Sequence, residues 1–278
     1  MLNVAFNVDK LNVNLGGTAG NIAYSLALLG EKPIIYATAG NDFRDYEMKL
    51  KSLELPTDDI RIFEDEKTAQ AFITTDLADN QITAFHGGAM FRANEHPLVV
   101  GEKSFVIISP NDGRAMVDHA HYCRHHKLPF IFDPGQAFNA LSGDQLVKSV
   151  HESKALVLND YEWQLWKDKT SLSKIATLGL TETVIITKGE EGCRVVTTKE
   201  EFELPAVSDL QVVDPTGSGD AFRAGLLYGL SRGWELKKSA QIATVVASFC
   251  VEIQGTQSHE FDEEMFHGRY QEAWDDSF

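Results

Sequence analysis

The chain has 278 residues, of which 43% are apolar, and its 25 basic and 41 acidic residues give a formal net charge of −16. This apolar content is too high for a disordered chain, and the length allows one large domain or a domain with a small appendage. The negative charge argues against a broad nucleic-acid or anionic-membrane surface, although backbone N–H groups can still bind an anion locally.

The cysteines and the chain start bear on the compartment. Cys123, Cys193 and Cys250 are odd in number and far apart, and they show neither a disulfide framework nor a zinc-binding spacing. The first residues lack the basic-then-apolar pattern of a secretion signal, and no apolar run approaches the length of a membrane span. We therefore expect a cytoplasmic protein.

Short β-branched runs alternate with helical stretches along the chain. The predicted strands lie within 32–40, 104–110, 129–135, 154–160, 183–189 and 210–215. The predicted helices lie within 21–30, 113–126, 144–153, 236–253 and 261–274. Near-continuous apolar strands that alternate with helices predict an α/β fold, with a mostly parallel sheet covered on both faces.

Two segments break this alternation. Residues 68–85 form two period-2 runs joined by Ala78, Asp79 and Asn80, which predicts a β-hairpin. Such a hairpin is either a decoration of the sheet edge or a lid over a site, and the pattern leaves both open. The chain also reaches a glycine-rich turn within its first 17 residues. An α/β domain usually opens with a buried strand, so we expect that a preceding strand is missing.

The stretch DPTGSGDAFRAG (214–225) has the pattern of a glycine-rich turn that opens a helix, preceded by the predicted strand 210–215. Gly217 and Gly219 let the backbone approach an anion closely, and a helix N-terminus supplies N–H donors and partial positive charge. Asp220 has no evident cation beside it. It is either a first-turn acid that stabilises the helix or a general base that takes a proton from a hydroxyl attacking a phosphate.

Two other phosphate-binding motifs do not fit. A Walker-A loop requires Gly-x-x-x-x-Gly-Lys-Ser/Thr, and the chain contains no such run. A dinucleotide fingerprint requires Gly-x-Gly-x-x-Gly on an early strand, whereas Gly217 and Gly219 supply only its first half and lie late in the chain.

A second glycine cluster, GGTAGNIAYSLALLG (16–30), also opens a predicted helix. Its small residues Ala19, Gly20 and Ala23 are consistent with close helix–sheet packing. Its glycine amides and the Asn21 side chain, which donates and accepts hydrogen bonds, also suit a polyhydroxylated ligand. The pattern leaves both interpretations open.

Four motifs resemble the ribokinase-like PfkB family of small-molecule kinases. GGTAGNIA (16–23) resembles the family's Gly-Gly-x-x-x-Asn-x-Ala signature, and VVDPTGSGDAFRAG (212–225) resembles its Asp-Thr-x-Gly-Ala-Gly-Asp signature. NDYE (159–162) resembles its Asn-x-x-Glu motif, and ITKGEEG (186–192) its Thr-Lys-Gly strand end. The resemblance implies one ribokinase-like domain over residues 1–278, with a doubly wound, mostly parallel sheet and a small β lid at about 66–90.

The resemblance implies two groups of site residues, which we name the acceptor half and the donor half. In the acceptor half, Asp220 is the general base. The anion hole for the transferred phosphoryl group is formed by Gly217, Ser218 and Gly219, and sugar hydroxyls are held by Gly16, Gly17 and Asn21. In the donor half, Mg²⁺ is placed through its waters by Asn159 and Glu162, and the nucleotide lies near Thr187, Lys188 and Gly189.

The segments TAQAFITTDLADNQITAFHGGAM (68–90) and EIQGTQSHEF (252–261) resemble the bacterial adenosine-kinase-like branch. This resemblance implies Mg²⁺-dependent transfer from ATP to a primary hydroxyl, with the 5′-hydroxyl of adenosine as the first choice. A ribose- or fructose-type sugar kinase and a non-catalytic nucleotide- or sugar-binding fragment are the alternatives. A requirement for K⁺ and the choice between monomer and homodimer stay open.

The chain departs from the family pattern at several positions. The family's first strand, which carries an acid that grips the sugar, has no counterpart, so we expect a truncated sheet. Pro215 replaces the usual Thr and Ser218 the usual Ala. Asp45 stands where Gly is common, which weakens Asp42 as a site residue.

Two further clusters are interpreted as structural. In DHAHYCRHH (118–126), His121 and His125 are spaced i, i+4, as are His119 and Cys123, and either pair could bind zinc. We interpret this stretch as the solvated face of a crossover helix. The spacing of Trp163 and Trp166 suits helix packing better than base stacking.

Overall fold

The structure is a computed structural model that describes residues 8–76, 81–275 and 278. Its helices are α1 (Thr18–Leu28), α2 (Arg44–Ser52), α3 (Gly113–His125), α4 (Gly143–Val150), α5 (Asp160–Thr170), α6 (Lys174–Leu178), α7 (Ser218–Ser231), α8 (Leu236–Val251) and α9 (Glu263–Trp274). Its strands are β1 (Ala37–Gly40), β2 (Ile60–Phe63), β3 (Gln70–Thr75), β4 (Gln81–His86), β5 (Val106–Ile108), β6 (Phe130–Phe132), β7 (Ala155–Asn159), β8 (Thr183–Thr187), β9 (Cys193–Thr197) and β10 (Glu201–Leu204). Short 3₁₀ segments lie at Gly88–Glu95, Gly135–Ala140 and Gly189–Glu191.

The largest sheet has the strand order β10-β9-β8-β7-β6-β5. Strands β5 to β8 are parallel, whereas β9 lies antiparallel to both β8 and β10. Strands β1 and β2 form a separate parallel pair, and β3 and β4 form an antiparallel hairpin. The prediction of an α/β fold with a mostly parallel sheet is therefore confirmed, with an antiparallel edge that makes the sheet mixed.

Both faces of this sheet are covered by helices. Successive strand residues point to opposite faces. On β6, Phe130 and Phe132 pack in a buried cluster with residues of α3, α4 and α5. Ile131, between them, packs instead with residues of α7 and α8. The near-continuous apolar strands that predicted a parallel sheet thus belong to a core with two layers of helices.

One predicted strand is wrong. Residues 210–215 contain no strand, and both Val212 and Val213 are exposed. The backbone N–H groups of Val213 and Asp214 donate to the carbonyl of Val251 instead of to a neighbouring strand. Their β-branched composition was misleading, because strand propensity depends on packing against neighbours that are absent here.

Strands β2, β9 and β10 were not predicted. Strand β10 reads Glu-Phe-Glu-Leu and lies at the edge of the sheet, where charged side chains are common. The predicted hairpin is confirmed as β3 and β4, and its proposed turn at 78–80 lies outside the described residues. Within the described part of the chain, no helix has the length and apolar character that crossing a membrane requires.

Candidate functional site

Helices α1 and α7 begin in the same unusual way. Gly17 precedes α1 and Gly217 precedes α7, each with a φ of 85° and without a side chain that caps the helix. The first-turn N–H groups of a helix have no acceptor within the helix. Both starts therefore present backbone donors, together with the positive end of the helix dipole, to a bound anion or hydroxyl.

Gly217 is required for two reasons. Its positive φ disfavours any side chain, and a Cβ atom at this position would lie 2.9 Å from the Cβ of Thr256. The next residue, Ser218, donates its N–H to the carbonyl of Pro215 at 3.2 Å. Of the three residues predicted to form the anion hole, Ser218 is thus the one whose backbone donor is already used in the turn.

Packing between α1 and α7 joins the two glycine motifs. Ile22 and Leu26 of α1 form a buried cluster with Ala224 of α7. This packing brings Asn21 to Asp220, and the Asn21 Nδ2 group donates to Asp220 Oδ2 at 2.7 Å. Two residues that were predicted from separate motifs, 199 positions apart, therefore lie in direct contact.

The carboxyl group of Asp220 is largely buried. Burial raises the pKa of Asp220 to about 6, while the Arg223 charge and the hydrogen bond from Asn21 act in the opposite direction. A carboxylate with this pKa is ionised at neutral pH and still basic enough to accept a proton from a reacting hydroxyl. The geometry suits the general-base interpretation of this residue.

A buried ion pair below Asp220 was missed. Arg223 lies one turn along α7 and donates from Nη2 to Asp133 Oδ1 at 2.7 Å, while its Nε faces Asp133 Oδ2. No cation beside Asp220 was evident in the sequence, but this guanidinium is close enough to lower the pKa of Asp220. A Cβ atom at residue 219 would lie 2.7 Å from Arg223 Nη1, so Gly219 also makes room for the arginine.

A polar network on the other side of Asn21 was also missed. Gln257 Nε2 donates to Asn21 Oδ1 at 2.9 Å and also to the hydroxyl of Tyr46. The Tyr46 hydroxyl donates to the carbonyl of Gly16 at 2.9 Å. Burial raises the pKa of Tyr46 to about 12, so this hydroxyl keeps its proton. Asn21 therefore contacts protein groups through both ends of its amide.

Gln257 belongs to a segment at 255–257 that follows α8 and that we call the connecting segment. Its Gly255 N–H donates to Asp214 Oδ2 at 3.0 Å, and its Thr256 Oγ1 donates to the Leu15 carbonyl at 2.9 Å. The connecting segment thus touches both glycine turns. The signal in the sequence was the segment 252–261, which resembles the adenosine-kinase-like branch and contains the short polar stretch Gly-Thr-Gln.

In the donor half, Asn159 and Glu162 form a capping box at the start of α5. Asn159 Oδ1 accepts the Glu162 N–H at 2.7 Å, and Glu162 Oε2 accepts the Asn159 N–H at 2.8 Å. Burial raises the pKa of Glu162, against the effect of the hydrogen bond from the Asn159 backbone. Both side chains therefore have a structural role, whatever further role they have with a ligand.

Thr187, Lys188 and Gly189 follow directly at the end of β8. Lys188 Nζ forms an ion pair with Glu203 Oε1 at 2.7 Å, and Gly189 has a φ of 58° with open space beside it. Strands β6, β7 and β8 are parallel neighbours, so the residues at their carboxyl ends lie at one edge of the sheet. Ligands of open α/β sheets bind outside this edge.

Asp42 lies at the base of the hairpin. Its Oδ1 accepts the Thr68 N–H at 2.8 Å and its Oδ2 accepts from Gln70 Nε2 at 3.0 Å. Asp42 therefore anchors β3. The hairpin is exposed at residues 70–75 and 82–86, and Phe72 and Ile82 are among its exposed apolar side chains.

The histidine-rich stretch 118–126 covers the second half of α3 and the residue after it. His121 and His125 are exposed, as predicted for a solvated helix face, whereas Cys123 is fully buried in the core. No group of three or more His, Cys, Asp or Glu residues within 8–76 and 81–275 is placed to hold a metal ion. Trp166 is buried and donates to Thr177 Oγ1 at 3.0 Å, which confirms its predicted packing role.

Comparison with known sequences gives a consistent family. The profile described as pfkB family carbohydrate kinase matches residues 3–262. A nucleoside kinase of Methanocaldococcus jannaschii is 30% identical over 259 residues, which cover 92% of this chain and 85% of the relative. A nucleoside kinase of Methanothermobacter thermautotrophicus is 31% identical over 266 residues, which cover 92% of this chain and 84% of the relative.

Solved structures agree. The Burkholderia thailandensis nucleoside kinase in complex with inosine has a TM-score of 0.93 and 34% identity, and the match covers 99% of this chain and 93% of that one. The M. jannaschii nucleoside kinase, described as an archaeal member of the ribokinase family, has a TM-score of 0.93 and 28% identity, over 98% of this chain and 91% of that one. These matches confirm the predicted ribokinase-like fold.

Proposed function

The chain belongs to the pfkB family of carbohydrate kinases and is a phosphotransferase that acts on a hydroxyl group, and we propose that it transfers the γ-phosphoryl group of ATP to the 5′-hydroxyl of a nucleoside. The observation that carries this proposal is the contact between Asn21 and Asp220 at the uncapped start of α7. It places a basic carboxylate beside a set of backbone donors suited to phosphate.

The proposed reaction is an in-line displacement at the γ-phosphorus. Asp220 takes the proton of the 5′-hydroxyl while the oxygen of that hydroxyl bonds to the γ-phosphorus. The bond between the γ-phosphorus and the leaving oxygen of ADP breaks at the same time. The first turn of α7, with Gly217 and Gly219, stabilises negative charge on the transferred group. Asn21 holds one oxygen of Asp220 through its NH₂ group, so the other oxygen remains for the substrate. Gly16 and Gly17 provide backbone groups for the sugar hydroxyls.

The donor half suits the nucleotide and a magnesium ion that keeps its waters. Mg²⁺ is usually held by one or two carboxylates together with substrate phosphates, and Glu162 is a buried carboxylate at the carboxyl edge of the sheet. We propose that Asn159 and Glu162 hold the waters of Mg²⁺, which would neutralise phosphate charge when bound. Thr187, Lys188 and Gly189 would lie along the nucleotide.

A purine nucleoside is the acceptor that the comparisons favour. The relatives from two archaea are named nucleoside kinases, and the B. thailandensis enzyme was solved with inosine and with ADP-inosine. Adenosine is our first substrate, and inosine is the second. A sugar kinase is the alternative, because the chain also matches a ribokinase of Bacillus subtilis, to which it is 24% identical over 249 residues.

We propose that the hairpin β3–β4 closes over the acceptor as a lid. Its exposed apolar side chains, among them Phe72 and Ile82, would be covered by a bound nucleoside or by the closed domain. Exclusion of water by closure would limit hydrolysis of ATP.

The test is ADP release with ATP and Mg²⁺ over adenosine, inosine, other nucleosides, ribose and fructose. We expect turnover on purine nucleosides and a loss of about 10²–10⁴ in kcat in Asp220→Asn, the range for a lost general base. Because Asp220 must be ionised to act, kcat/KM should fall as the pH drops through about 6. Asp168→Asn, an exposed aspartate of α5, removes the same charge away from the site and should leave the rate unchanged.

The other outcomes separate the alternatives. Turnover on free sugars alone would keep the mechanism and replace the nucleoside with a sugar. Stabilisation by ATP or adenosine without product would indicate a binding protein. Full activity of Asp220→Asn would contradict the assignment of the base.

A further inference from the structure

We infer that Gln257 is a positioning residue of the transfer reaction: it fixes the Asn21 amide so that the NH₂ group, and not the oxygen, faces Asp220. This inference rests on the proposed role of Asp220 as the base. Gln257 lies within the segment 252–261, in which no site residue was predicted from the sequence, and it is 236 positions from Asn21.

The two ends of the Asn21 amide are chemically opposite. Nδ2 only donates hydrogen bonds and Oδ1 only accepts them. Nδ2 donates to Asp220 Oδ2 at 2.7 Å, and Oδ1 accepts from Gln257 Nε2 at 2.9 Å. A flipped amide would place its oxygen against the carboxylate and its NH₂ group against another NH₂ group. Asn21 is only 5% exposed, so bulk water is poorly placed to stabilise the flipped arrangement.

Tyr46 holds the NH₂ side of the Gln257 amide, whose Oε1 is buried without a hydrogen-bond partner among the described residues. The hydrogen of the Tyr46 hydroxyl goes to the Gly16 carbonyl at 2.9 Å, so the hydroxyl oxygen is left to accept from Gln257 Nε2. Gln257 therefore presents its NH₂ group, which has two hydrogens, to both Tyr46 and Asn21. Donation runs in one direction, from Gln257 to Asn21 and from Asn21 to Asp220.

The fold leaves room for this network at one position of α1. A Cβ atom at residue 20 would lie 1.9 Å from the Tyr46 hydroxyl oxygen and 3.2 Å from Gln257 Nε2. Gly20 was interpreted above as a small residue for helix–sheet packing. The structure shows that its missing side chain lets Tyr46 and Gln257 meet over the helix.

Loss of Gln257 should affect the chemical step and its pH dependence. Without a donor for its oxygen, the Asn21 amide is free to rotate away from Asp220. The hydrogen bond from Asn21 opposes the effect of burial on Asp220, so its loss should raise the pKa of Asp220 further. The acidic limb of kcat/KM would then move to higher pH. The KM for ATP should stay unchanged, because Gln257 contacts only the acceptor half.

The experiment compares Gln257→Leu with Gln257→Glu. The first removes the donor, and we expect kcat to fall on the order of 10-fold to 100-fold, which is the worth of the hydrogen bond from Asn21 to the charged Asp220 that Gln257 holds in place. The second keeps the shape of the side chain but replaces its NH₂ group with an oxygen, which favours the flipped Asn21 amide. We therefore expect Gln257→Glu to lose more activity than Gln257→Leu. A role in packing alone would give the opposite order.

Gln241→Leu is the matched control for stability. Gln241 is 9% exposed, against 8% for Gln257, and it also bonds to a tyrosine hydroxyl, that of Tyr270 on α9. It should lower the melting temperature without a shift of the pH profile. In an Asn21→Ala background, Gln257→Leu should add no further loss, because the two residues act as one unit.

Three results would overturn the inference: kcat of Gln257→Leu within about twofold of wild type, an unshifted pH profile, or additive losses in the Asn21→Ala background. If any one of these results is found while Asp220→Asn is inactive, the inference about Gln257 fails and the proposed function stands. If the wild-type protein transfers no phosphoryl group, the proposed function fails. In that case the pKa of Asp220 is measured by ¹³C NMR in the wild-type protein and in Gln257→Leu, with Asp220→Asn to assign the signal. A higher pKa in Gln257→Leu would support the orienting role of Gln257, and an equal pKa would contradict it.

Discussion

The side-chain hydrogen bonds that hold Asn21 and Asp220 in the acceptor half join distant parts of the chain, whereas those of Asn159, Glu162 and Lys188 in the donor half span at most 15 positions. Asn21 and Asp220 are 199 positions apart, and Gln257 and Tyr46 are 211 apart. In the donor half, Asn159 and Glu162 are three positions apart, and Lys188 pairs with a residue 15 positions away. Asp220, the group that we propose aligns a hydroxyl with phosphorus, is thus fixed by contacts between distant parts of the fold. The groups proposed for the flexible polyphosphate are supplied by local turns.

The largest effect is expected when the buried ion pair beneath the acceptor half, between Arg223 and Asp133, is removed. Arg223→Met leaves the Asp133 carboxylate buried without its partner, and we expect a loss of about 3–5 kcal/mol in the free energy of unfolding. It should also raise the pKa of Asp220, because the Arg223 charge lowers it. Urea unfolding and the pH profile of kcat/KM measure the two effects.

Arg232→Met is the control for this substitution, because Arg232 at the end of α7 forms a partly exposed ion pair with Glu31. Such pairs contribute about 0–1 kcal/mol. Equal losses in the two variants would mean that the buried pair contributes no more than a surface pair.

An intermediate effect compares one glycine from each half. Gly217→Ala should cost about 2–3 kcal/mol, because a left-handed conformation alone costs about 1–2 kcal/mol and the new methyl group meets Thr256. Gly189 also has a left-handed φ, of 58°, but there is open space beside it. Gly189→Ala should therefore cost only about 1 kcal/mol in the free energy of unfolding. Urea unfolding of both variants checks the difference. A larger loss in Gly189→Ala would mean that the donor half is the more constrained one.

The smallest effect tests the donor half directly. Asn159→Ala removes the acceptor of the Glu162 N–H and should cost about 1 kcal/mol of stability, typical for a helix cap. If Asn159 also helps to hold Mg²⁺, the KM for ATP should rise while the KM for the nucleoside stays unchanged.

Ser142→Ala removes the other capping box, at the start of α4, and provides the control. It should cost similar stability without a change in either KM. A rise in the KM for ATP in both variants would show that general loosening, and not a nucleotide contact, is responsible.

The sequence allowed the two glycine turns, Asn21 and Asp220 to be predicted, because each turn is a local pattern with a direct physical meaning. The buried parallel strands β5 to β8 of the large sheet were predictable for the same reason, since a continuous apolar run needs cover on both faces. The exposed edge strand β10 has no such pattern and was missed.

The partners of Asn21 and Asp220 could not be predicted. Gln257 and Tyr46 are ordinary polar residues, and the packing of α1 and α2 beside the connecting segment brings them together. Arg223 stands three positions after Asp220, but its burial against Asp133 depends on the contact between α7 and the end of β6. Residues 210–215 were misassigned because β-branched residues do not reveal whether a neighbouring strand exists.

The connecting segment has a consequence for how the protein is made. Asn21 emerges from the ribosome 236 residues before Gln257. Until that segment is synthesised and has docked, neither glycine turn has its neighbour and the Asn21 amide has no donor for its oxygen. A nascent chain can therefore form much of its sheet while the groups that we propose handle phosphate are still unaligned. Activity should begin only after residues 255–257 have been synthesised and have docked.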